Sequence, residues 1–456
     1  MKAAAGLFFV ALFFLCSSCG SGKVEQQAVE KPVFSENIAP LIFKNCVPCH
    51  RKGGAGPFPL TNYQEVFRKS KTILKVTSKH YMPPWPADPS YSHFVGEKKL
   101  QEEQISLIRR WVEQGCREGD PSRMPSLPVF PDGSVYGKPD LVLKMRNPFF
   151  IKGDNTDRFL LMKFPYELEK DTFIRFIEFV PCKKKLVHHV NGFIIQYFQP
   201  DKKKNVFEGD PVEDTQTMDF PQAYQKMKLP NDDGSWPMLT PSVVNYLPGV
   251  EPPVYPEGIG GFRMKKKGAL FLKDIHYGPS PRDEYDSSYF NVFFSATAPK
   301  RQLMEFQIGT LGKTPVQPPL LVPPDSVKTF VTEYVVPEDW SLITINPHMH
   351  LLGKSFWAFA VQPGGDTIPL IRIPKWDFRW QYFYTFTKMI RIPAGSRIKA
   401  IAVYDNTARN PLNPFHPPRP VGERNGSMRT TDEMFQFIIN YVPYQKGDEN
   451  LSLEPK

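Results

Sequence analysis

Two patterns of hydrophobic and polar positions divide the chain. Over residues 101–118 the apolar residues recur at intervals of three and four, which predicts an amphipathic helix. Beyond residue 138 the pattern alternates, as in residues 141–145 and 173–179, and Pro, Gly, Asn and Asp separate the alternating runs. Such runs are typical of antiparallel β-strands. The pattern therefore predicts a small helical part followed by a much longer β part.

Composition supports this division. The chain has 456 residues, of which 48 are proline and 36 are phenylalanine. Proline disrupts helix interiors and central strands, so its abundance argues against a helical bundle and favours turn-rich sheets. At about 150 residues per domain, the length predicts about three domains. We expect a mainly β protein with an all-α domain at 33–125, a Pro-rich linker at 126–137, and antiparallel β-sandwich domains at 138–298 and 299–456.

The first residues predict export. Lys2 precedes an apolar run that suits a signal peptide and is too short to span a bilayer comfortably. The residues that end at Cys19 resemble the lipobox of bacterial lipoproteins, in which cleavage leaves a lipid-modified cysteine. We therefore predict a lipoprotein signal peptide at 1–19, lipidation at Cys19 and a linker at 20–32. The alternatives are plain secretion and an uncleaved anchor. The expected location is extracytoplasmic, in the periplasm or at the cell surface, with the lipid anchored in a membrane.

The distribution of charge along the chain argues against nucleic acid as a partner. With 57 basic and 47 acidic residues, the formal charge is +10. The basic residues are spread thinly, in short runs such as 183–185 and 265–267 that suit solvated turns. Nucleic-acid binding needs a clustered basic face. The sequence therefore predicts no nucleic-acid partner.

Residues 46–50 form a C-x-x-C-H motif, which is the attachment signature of c-type haem. Within one helical turn, the thiols of Cys46 and Cys49 reach two haem vinyl groups, and His50 directs its imidazole at the iron as the proximal ligand. A thioredoxin-like redox pair and half of a zinc site also use two cysteines at this spacing. Neither alternative requires the histidine, and the only other C-x-x-C of the chain, Cys16 to Cys19, lies within the predicted signal peptide. We therefore predict one covalently attached haem c.

The surroundings of this motif resemble the small class I cytochrome c domains of bacterial multidomain proteins. A short amphipathic helix at 35–44 leads into the motif, and the predicted closing helix has the Trp-x-x-x-Gly ending of those domains, beginning at Trp111. The resemblance implies that Met82, which precedes a Pro-rich turn, is the sixth ligand of the iron. His80 and His93 are weaker candidates for that ligand.

Two further cysteines, Cys116 and Cys182, allow two interpretations. An exported compartment permits a disulfide between them. However, Cys116 continues the apolar spacing of Ile108 and Val112, which places it on the buried face of the predicted helix. A buried thiol is therefore the favoured interpretation.

Histidines gather in the predicted β region, at His188, His189, His276, His348 and His350. A single buried histidine is more often a hydrogen-bonded core residue than a metal ligand. Alternate residues of a strand share one face, so the imidazoles of His348 and His350 make a good metal-binding pair. His188 and His189 diverge in a regular strand, and their joint ligation requires a distorted or edge strand. Imidazole sites suit copper, zinc, iron or nickel, and a methionine sulfur favours copper(I).

The order of these motifs resembles one family, the type II copper, ascorbate-dependent monooxygenases. That family includes peptidylglycine α-hydroxylating monooxygenase and dopamine β-monooxygenase. The resemblance covers residues 138–445 and rests on His188-His189, His276-Tyr277, His348-x-His350-Leu351-Leu352-Gly353 and Thr431-Asp432-Glu433-Met434. It implies two consecutive jelly-roll-like β-sandwiches that hold one copper each.

The same resemblance assigns the ligands of both copper ions. It implies that His188, His189 and His276 bind the electron-transfer copper. It also implies that a second copper, at which O2 reacts, is bound by His348, His350 and Met434. Met428 is a weaker candidate for the sulfur ligand.

Departures from the family concern the substrate. Asn346 occupies the position of the arginine that binds the substrate carboxylate in the animal peptide enzyme, and Asp274 replaces a glutamine. Residues 435–437 lack the family's polar pattern for anchoring substrate. We therefore expect a small substrate other than a glycine-extended peptide.

Together the motifs predict an enzyme that hydroxylates a C–H bond with O2 and two electrons. An unidentified donor would reduce the haem, which would pass electrons to the His188/His189/His276 copper and then to the His348/His350/Met434 copper. The covalent linker holds haem and copper at a high effective concentration. Two alternatives are a copper-binding electron-transfer or sensor lipoprotein without monooxygenase activity and a partner-binding module that has lost its metals. The full set of candidate ligands argues against the second alternative.

Overall fold

The structure is a computed structural model that describes residues 31–454, apart from 131–133, 135, 198–204, 249, 251, 254, 257 and 425–428. The predicted signal peptide with Cys19 and the weaker sulfur candidate Met428 lie outside the described residues. In the described part of the chain, no helix has the length and apolar character needed to cross a membrane. As the sequence predicts, the fold is mainly β and contains several antiparallel sheets.

Helices make up the N-terminal part of the described chain. They are a π-helical turn (Phe34–Ile38), α1 (Ala39–Asn45), α2 (Tyr63–Ser78), α3 (Glu102–Glu113) and a 3-10 turn (Pro121–Arg123). Phe34, Ile42 and Trp111 belong to the apolar core that joins these helices. The first helical segment agrees with the predicted helix at 35–44.

Two details of this helical part differ from the sequence predictions. Helix α2 was not predicted, although the side chain of Asn62 accepts a hydrogen bond from Glu65 N–H and so caps its first turn. The closing helix ends at Glu113 rather than at residue 118. Gly115 follows with a φ of 88°, a left-handed conformation that terminates helices. Cys116 therefore lies beyond the helix, where it is nevertheless buried.

The first β unit, residues 141–294, consists mainly of two sheets packed face to face. Its strands are β1 (Leu141–Lys144), β2 (Phe149–Ile151), β3 (Arg158–Glu167), β4 (Thr172–Val180), β5 (Val187–Gln196), β6 (Val212–Asp214), β7 (Met238–Leu239), β8 (Val244–Tyr246), β9 (Phe262–Met264), β10 (Lys267–Tyr277), β11 (Glu284–Asp286) and β12 (Tyr289–Phe294). One sheet has the order β1-β12-β4-β9, and the other has the order β6-β3-β10-β5-β7 with β8 also on β5. Strand β11 pairs with β2.

Apolar side chains of both sheets fill the space between them. Phe164 of β3 meets Phe290 of β12 edge to face, with ring centroids 5.0 Å apart. A short helix, α4 (Phe220–Lys226), covers the outer face of the larger sheet, where Phe271 is buried. The larger sheet is therefore covered on both faces, which explains why the consecutive residues 269–272 of β10 are all apolar and buried.

The second β unit, residues 304–443, repeats the two-sheet plan. Its strands are β13 (Met304–Gly309), β14 (Leu321–Val322), β15 (Ser326–Val335), β16 (Trp340–Met349), β17 (Gly353–Val361), β18 (Thr367–Ile373), β19 (Tyr384–Ile392), β20 (Arg397–Asn406), β21 (Val421–Gly422) and β22 (Phe435–Pro443). Four-stranded sheets β13-β22-β16-β19 and β15-β20-β17-β18 enclose one apolar core, and β14 pairs with β21. A 3-10 turn (Asp448–Asn450) follows.

The core of the second β unit also receives side chains from the rest of the chain. Phe94, from the helical part, packs on Tyr384 with ring centroids 4.9 Å apart, and Trp85 meets the same tyrosine at 5.5 Å. Leu247 and Phe262 of the first β unit belong to this cluster as well. The three parts of the chain are therefore held together by shared apolar packing.

A buried ion pair joins the segment just before the second β unit to the 3-10 turn that follows it. Arg301 donates two hydrogen bonds to Asp448, at 2.7 and 2.6 Å, and Ser341 donates to the same carboxylate at 2.6 Å. Asp448 is 4% exposed. Removal of one partner would leave an uncompensated buried charge, which costs more than the net energy of the intact pair.

Arg301→Ala is expected to lower the free energy of unfolding by about 3 kcal/mol, because Asp448 keeps a buried charge without its cation. Denaturant unfolding followed by tryptophan fluorescence would measure this change. Arg391→Ala is the matched control, since Arg391 forms a solvent-exposed pair with Asp339. Equal unfolding midpoints for both variants would contradict the prediction.

Candidate metal sites

A β-bulge brings the first three candidate ligands together. In the pairing of β5 with β10, His189 lies directly opposite His276, whereas the next pair is Val187 with Tyr277. His188 is therefore the extra residue of the bulge. A regular strand would direct His188 and His189 to opposite faces, but a bulge redirects one side chain. The distortion that joint ligation requires is thus present.

One nitrogen of each of these imidazoles lies within 4.8 Å of the others. Nδ1 of His188 and Nδ1 of His189 are 3.2 Å apart. His189 Nε2 donates to Asp274 Oδ2, and His276 Nε2 donates to Asp157 Oδ1, each at 2.6 Å. A carboxylate can only accept, so these bonds leave Nδ1 of both rings with a free lone pair.

The electrostatics at His188 and His276 favour the neutral imidazole, which is the form that binds metals. Burial, with the neighbouring His189 and His276 as lesser causes, lowers the pKa of His188 to about 3. Burial also lowers the pKa of His276. Nδ1 of His276 is buried and has no hydrogen-bond partner among the described residues. An orphaned buried nitrogen facing two other imidazoles fits a metal site.

The second cluster lies at the end of β16. His348 and His350 share one face, and their ring centroids are 5.1 Å apart. His350 Nδ1 donates to the carbonyl oxygen of Asp432 at 2.9 Å, which leaves Nε2 free to bind a metal. Nε2 of His348 is buried without a hydrogen-bond partner among the described residues. Burial, followed by the charges of His350 and His189, lowers the pKa of His348 to about 3.

Met434 is buried and stands immediately before β22. Strand β22 pairs with β16 so that Gln436 is opposite His348 and Phe435 is opposite Met349. Continued by one residue, this register sets Met434 opposite His350. Opposite residues of an antiparallel pair share a face, so the thioether belongs to the face that carries both imidazoles.

Glu433 connects the two segments of this second cluster. Its carboxyl group accepts hydrogen bonds from His350 N–H at 3.0 Å, Leu352 N–H at 2.6 Å and Met434 N–H at 3.3 Å. Burial raises the pKa of Glu433 to about 8, although these three donors favour the anion. Glu433 belongs to the Thr431-Asp432-Glu433-Met434 motif, but the sequence predicts no role for it. The signal for Glu433 in the sequence was its position one residue before Met434. Two of its hydrogen-bond donors, His350 and Leu352, are more than 80 residues away along the chain, so only the fold reveals them.

Both clusters border one cleft between the β units. The cleft has a volume of about 210 Å³. His189 and Asp274 line it from the first β unit, and His348 lines it from the second. The remaining polar wall consists largely of carboxamides, which are Asn191, Asn245, Gln307, Asn346, Gln381 and Gln436. The cleft therefore offers many neutral hydrogen-bonding groups between the two sets of histidines.

The C-x-x-C-H motif follows α1 directly. His50 Nδ1 donates to the carbonyl oxygen of Phe58 at 3.0 Å, which leaves Nε2 free. A Cβ atom at Gly56 would lie 2.8 Å from the His50 ring, and one at Gly54 would lie 2.2 Å from the Cys49 oxygen. Both glycines therefore permit a tight loop around the imidazole. Burial, and then the charge of Cys49, raise the pKa of Cys46 to about 12.

The remaining candidates have different outcomes. Met82 is half-buried in the turn after α2, where its N–H donates to Val76 at 3.3 Å. Its role as sixth ligand stays a prediction. Cys116 is a buried free thiol, as favoured above, whereas Cys182 is free and exposed. The alternative of a disulfide between them is wrong, since Cys116 is buried in the helical part and Cys182 is exposed in the loop between β4 and β5.

Asp274→Asn is expected to weaken metal binding at the His188/His189/His276 cluster about tenfold, because the loss of a carboxylate partner reduces the basicity and orientation of a ligating imidazole. Competition titration with copper(II) would measure the affinity. Asp283→Asn is the control, since Asp283 is exposed and accepts a hydrogen bond from Gly153 N–H, away from the histidines. Unchanged affinity in the first variant would contradict the predicted ligand role of His189.

Gly56→Ala is expected to displace the His50 imidazole, since the added methyl group would overlap the ring. In protein matured with haem, we expect an altered Soret spectrum and a shifted midpoint potential, because the axial ligand sets the potential. Gly364→Ala is the control, because a Cβ atom there meets nothing within 4 Å. A normal spectrum for Gly56→Ala would argue against His50 as proximal ligand.

Comparisons with known proteins do not assign a family to this chain. No protein-family model matches it, and no curated protein matches it. One solved structure that was found is the infectious bursal disease virus VP2 subviral particle, which shares 9% sequence identity over 73% of this chain and 86% of that chain. Its TM-score of 0.14 is too low to indicate a common fold or function.

Proposed function

We propose that the protein is a copper-dependent monooxygenase that hydroxylates a C–H bond of a small substrate with O2 and receives its electrons through an attached c-type haem. The observation that carries this proposal is the placement of two histidine clusters along one cleft. A structural role for the histidines gives no reason for buried, unpaired nitrogens at both clusters. The ordered motifs shared with the type II copper monooxygenases add independent support.

Each cluster has the donor set for one copper ion. His188, His189 and His276 would hold the electron-transfer copper, and the second copper would have two imidazoles and the Met434 thioether. A thioether favours copper(I), the oxidation state that reacts with O2. When bound, the copper ions supply reductive activation of O2, and the haem held by Cys46, Cys49 and His50, with Met82 as the expected sixth ligand, supplies single electrons.

The chain's own residues maintain the chemistry of both sites. Asp157 and Asp274 fix the tautomers of two imidazoles, and Glu433 holds the ends of β16 and β22 in register. The complete reaction consumes the substrate C–H bond, O2, two electrons and two protons, and it yields the hydroxylated product and water. In this scheme, the mature protein is an extracytoplasmic lipoprotein with two jelly-roll-like copper domains.

The cleft indicates the properties of the substrate. Lys273 and Glu305 both line it, and the charge of Glu305 raises the pKa of Lys273 while burial lowers it more strongly. The opposite charges of this pair compensate each other. With a carboxamide wall around them, the cleft suits a small polar molecule without a large net charge.

The ratio of copper to haem tests the proposal. Protein without residues 1–19, matured in a host that attaches haem c and then loaded with copper, is expected to contain about two coppers per haem, one for each cluster. His276→Ala and His348→Ala are each expected to contain about one. His416→Ala is the control, since His416 lies exposed in a loop outside both clusters.

Metal analysis and the haem spectrum would give these ratios, and oxygen consumption would separate the candidate functions. A monooxygenase reduced by ascorbate should consume O2 in the presence of substrate, and His348→Ala should abolish this consumption. One haem without tightly bound copper would overturn the proposal. Two coppers without any oxygen consumption across a substrate screen would favour the copper-binding electron-transfer or sensor protein.

A further inference from the structure

A second cavity lies beside the C-x-x-C-H motif and has a volume of about 230 Å³. Pro48, Cys49 and Gly54 line it from the helical part, whereas Ile177 and Phe179 of β4 line it from the first β unit. Residues of the motif that is expected to hold haem therefore face the first β unit across this cavity.

Only a thin wall separates this cavity from the cleft of the two histidine clusters. Among the residues that line each space, Asn245, Tyr246 and Val250 line both. The first two belong to β8, the short strand at the side of β5. A side chain of this wall thus has the haem-attachment motif on one side and the metal cleft on the other.

Strand β8 connects this wall to the first histidine cluster through the backbone. Tyr246 pairs with Val190, the residue after His189, and Asn245 pairs with Asn191. The Asn191 side chain donates to Asn245 Oδ1 at 2.6 Å. The ladder therefore fixes the position of Tyr246 relative to the His188/His189/His276 cluster.

The Tyr246 ring is held by close packing. Its centroid lies 4.9 Å from that of Phe179, in an edge-to-face arrangement. Burial, with the charge of Cys49 as a second cause, raises the pKa of Tyr246. Cys49 of the motif and Tyr246 line the same cavity. The ring therefore lies on the cavity lined by Cys49, the second cysteine of the motif, and also within the wall of the cleft.

We propose that the Tyr246 ring is a positioning residue that sets the electronic coupling between the haem-attachment motif and the His188/His189/His276 metal site. This inference rests on the proposed function. In the step concerned, one electron leaves ferrous iron, which becomes ferric, and reduces copper(II) to copper(I). No bond or proton changes place. The ring fills the gap with packed atoms and is itself neither oxidised nor deprotonated.

A competing connection runs through the second β unit. The Tyr382 hydroxyl donates to Pro84 O at 3.0 Å, and the Tyr382 carbonyl oxygen accepts from the Asn346 side chain at 2.9 Å. Asn346 lies two residues before His348 on β16. However, Tyr382 lines neither of the two spaces. Tyr246 lines both, and its strand pairs beside a candidate ligand, so the geometry favours Tyr246.

The test uses the mature full chain with attached haem and bound copper, without substrate or O2. A flash-generated reductant supplies less than one electron per protein, with copper(II) in place, and the reoxidation of the haem by copper is followed optically. Tyr246→Leu is expected to slow this single electron transfer about tenfold, because it removes the ring and leaves a void in the packed wall. Tyr246→Phe keeps the ring and should remain within about threefold of the unmodified protein.

Tyr285→Leu is the matched control, since Tyr285 is an exposed tyrosine of β11. The haem spectrum, midpoint potential and copper content should be unchanged in every variant, which separates coupling from loss of a cofactor. If Tyr246→Leu loses copper or haem, Tyr246→Met provides a second ringless variant. An unchanged rate in the ringless variant, or a slower rate only in Tyr382→Leu, would overturn the inference but leave the proposed function standing. A protein without copper, or without any electron transfer to copper, would overturn both.

Discussion

Shared apolar packing around Tyr384 determines how the three parts of the chain are arranged. Trp85 and Phe94 reach this tyrosine from the helical part, and Leu247 reaches the same core from the first β unit. Burial of large aromatic surfaces is strongly favourable and non-directional, so it can join segments that are far apart in the sequence. The cleft and the wall beside the C-x-x-C-H motif both exist because these parts are held in contact.

Within that arrangement, the candidate sites depend on imidazoles that are buried but neutral. A buried charge is costly, so burial itself suppresses protonation of His188 and His348. Hydrogen bonds to Asp274 and to the Asp432 carbonyl then decide which nitrogen keeps its lone pair. Burial keeps imidazoles neutral, and a hydrogen bond to one ring nitrogen leaves the other nitrogen available to a metal. Both features are properties of the surroundings rather than of the histidines.

The sequence predicts much of the local structure, because local patterns depend on near neighbours. The alternating runs predict β1 and β4, and the H-x-H spacing places His348 and His350 on one face. Helix α2 was missed because two positions of its buried face, Ser70 and Thr77, carry polar residues that interrupt the apolar spacing of Val66 and Ile73. The end of the closing helix was placed too late, since the left-handed conformation of Gly115 interrupts a pattern that would otherwise continue.

The amino-acid sequence specifies the chemical types of the donors: two thiols beside a histidine, two sets of imidazoles and a thioether. Long-range folding selects which of these donors come together. Asp274 is 85 residues from His189, and no local pattern connects them. The bulge at His188, the role of Glu433 and the position of Tyr246 between two cavities likewise depend on strand register and on the packing of separate units. These are long-range contacts, and their partners are chosen by the folded core rather than by spacing along the chain.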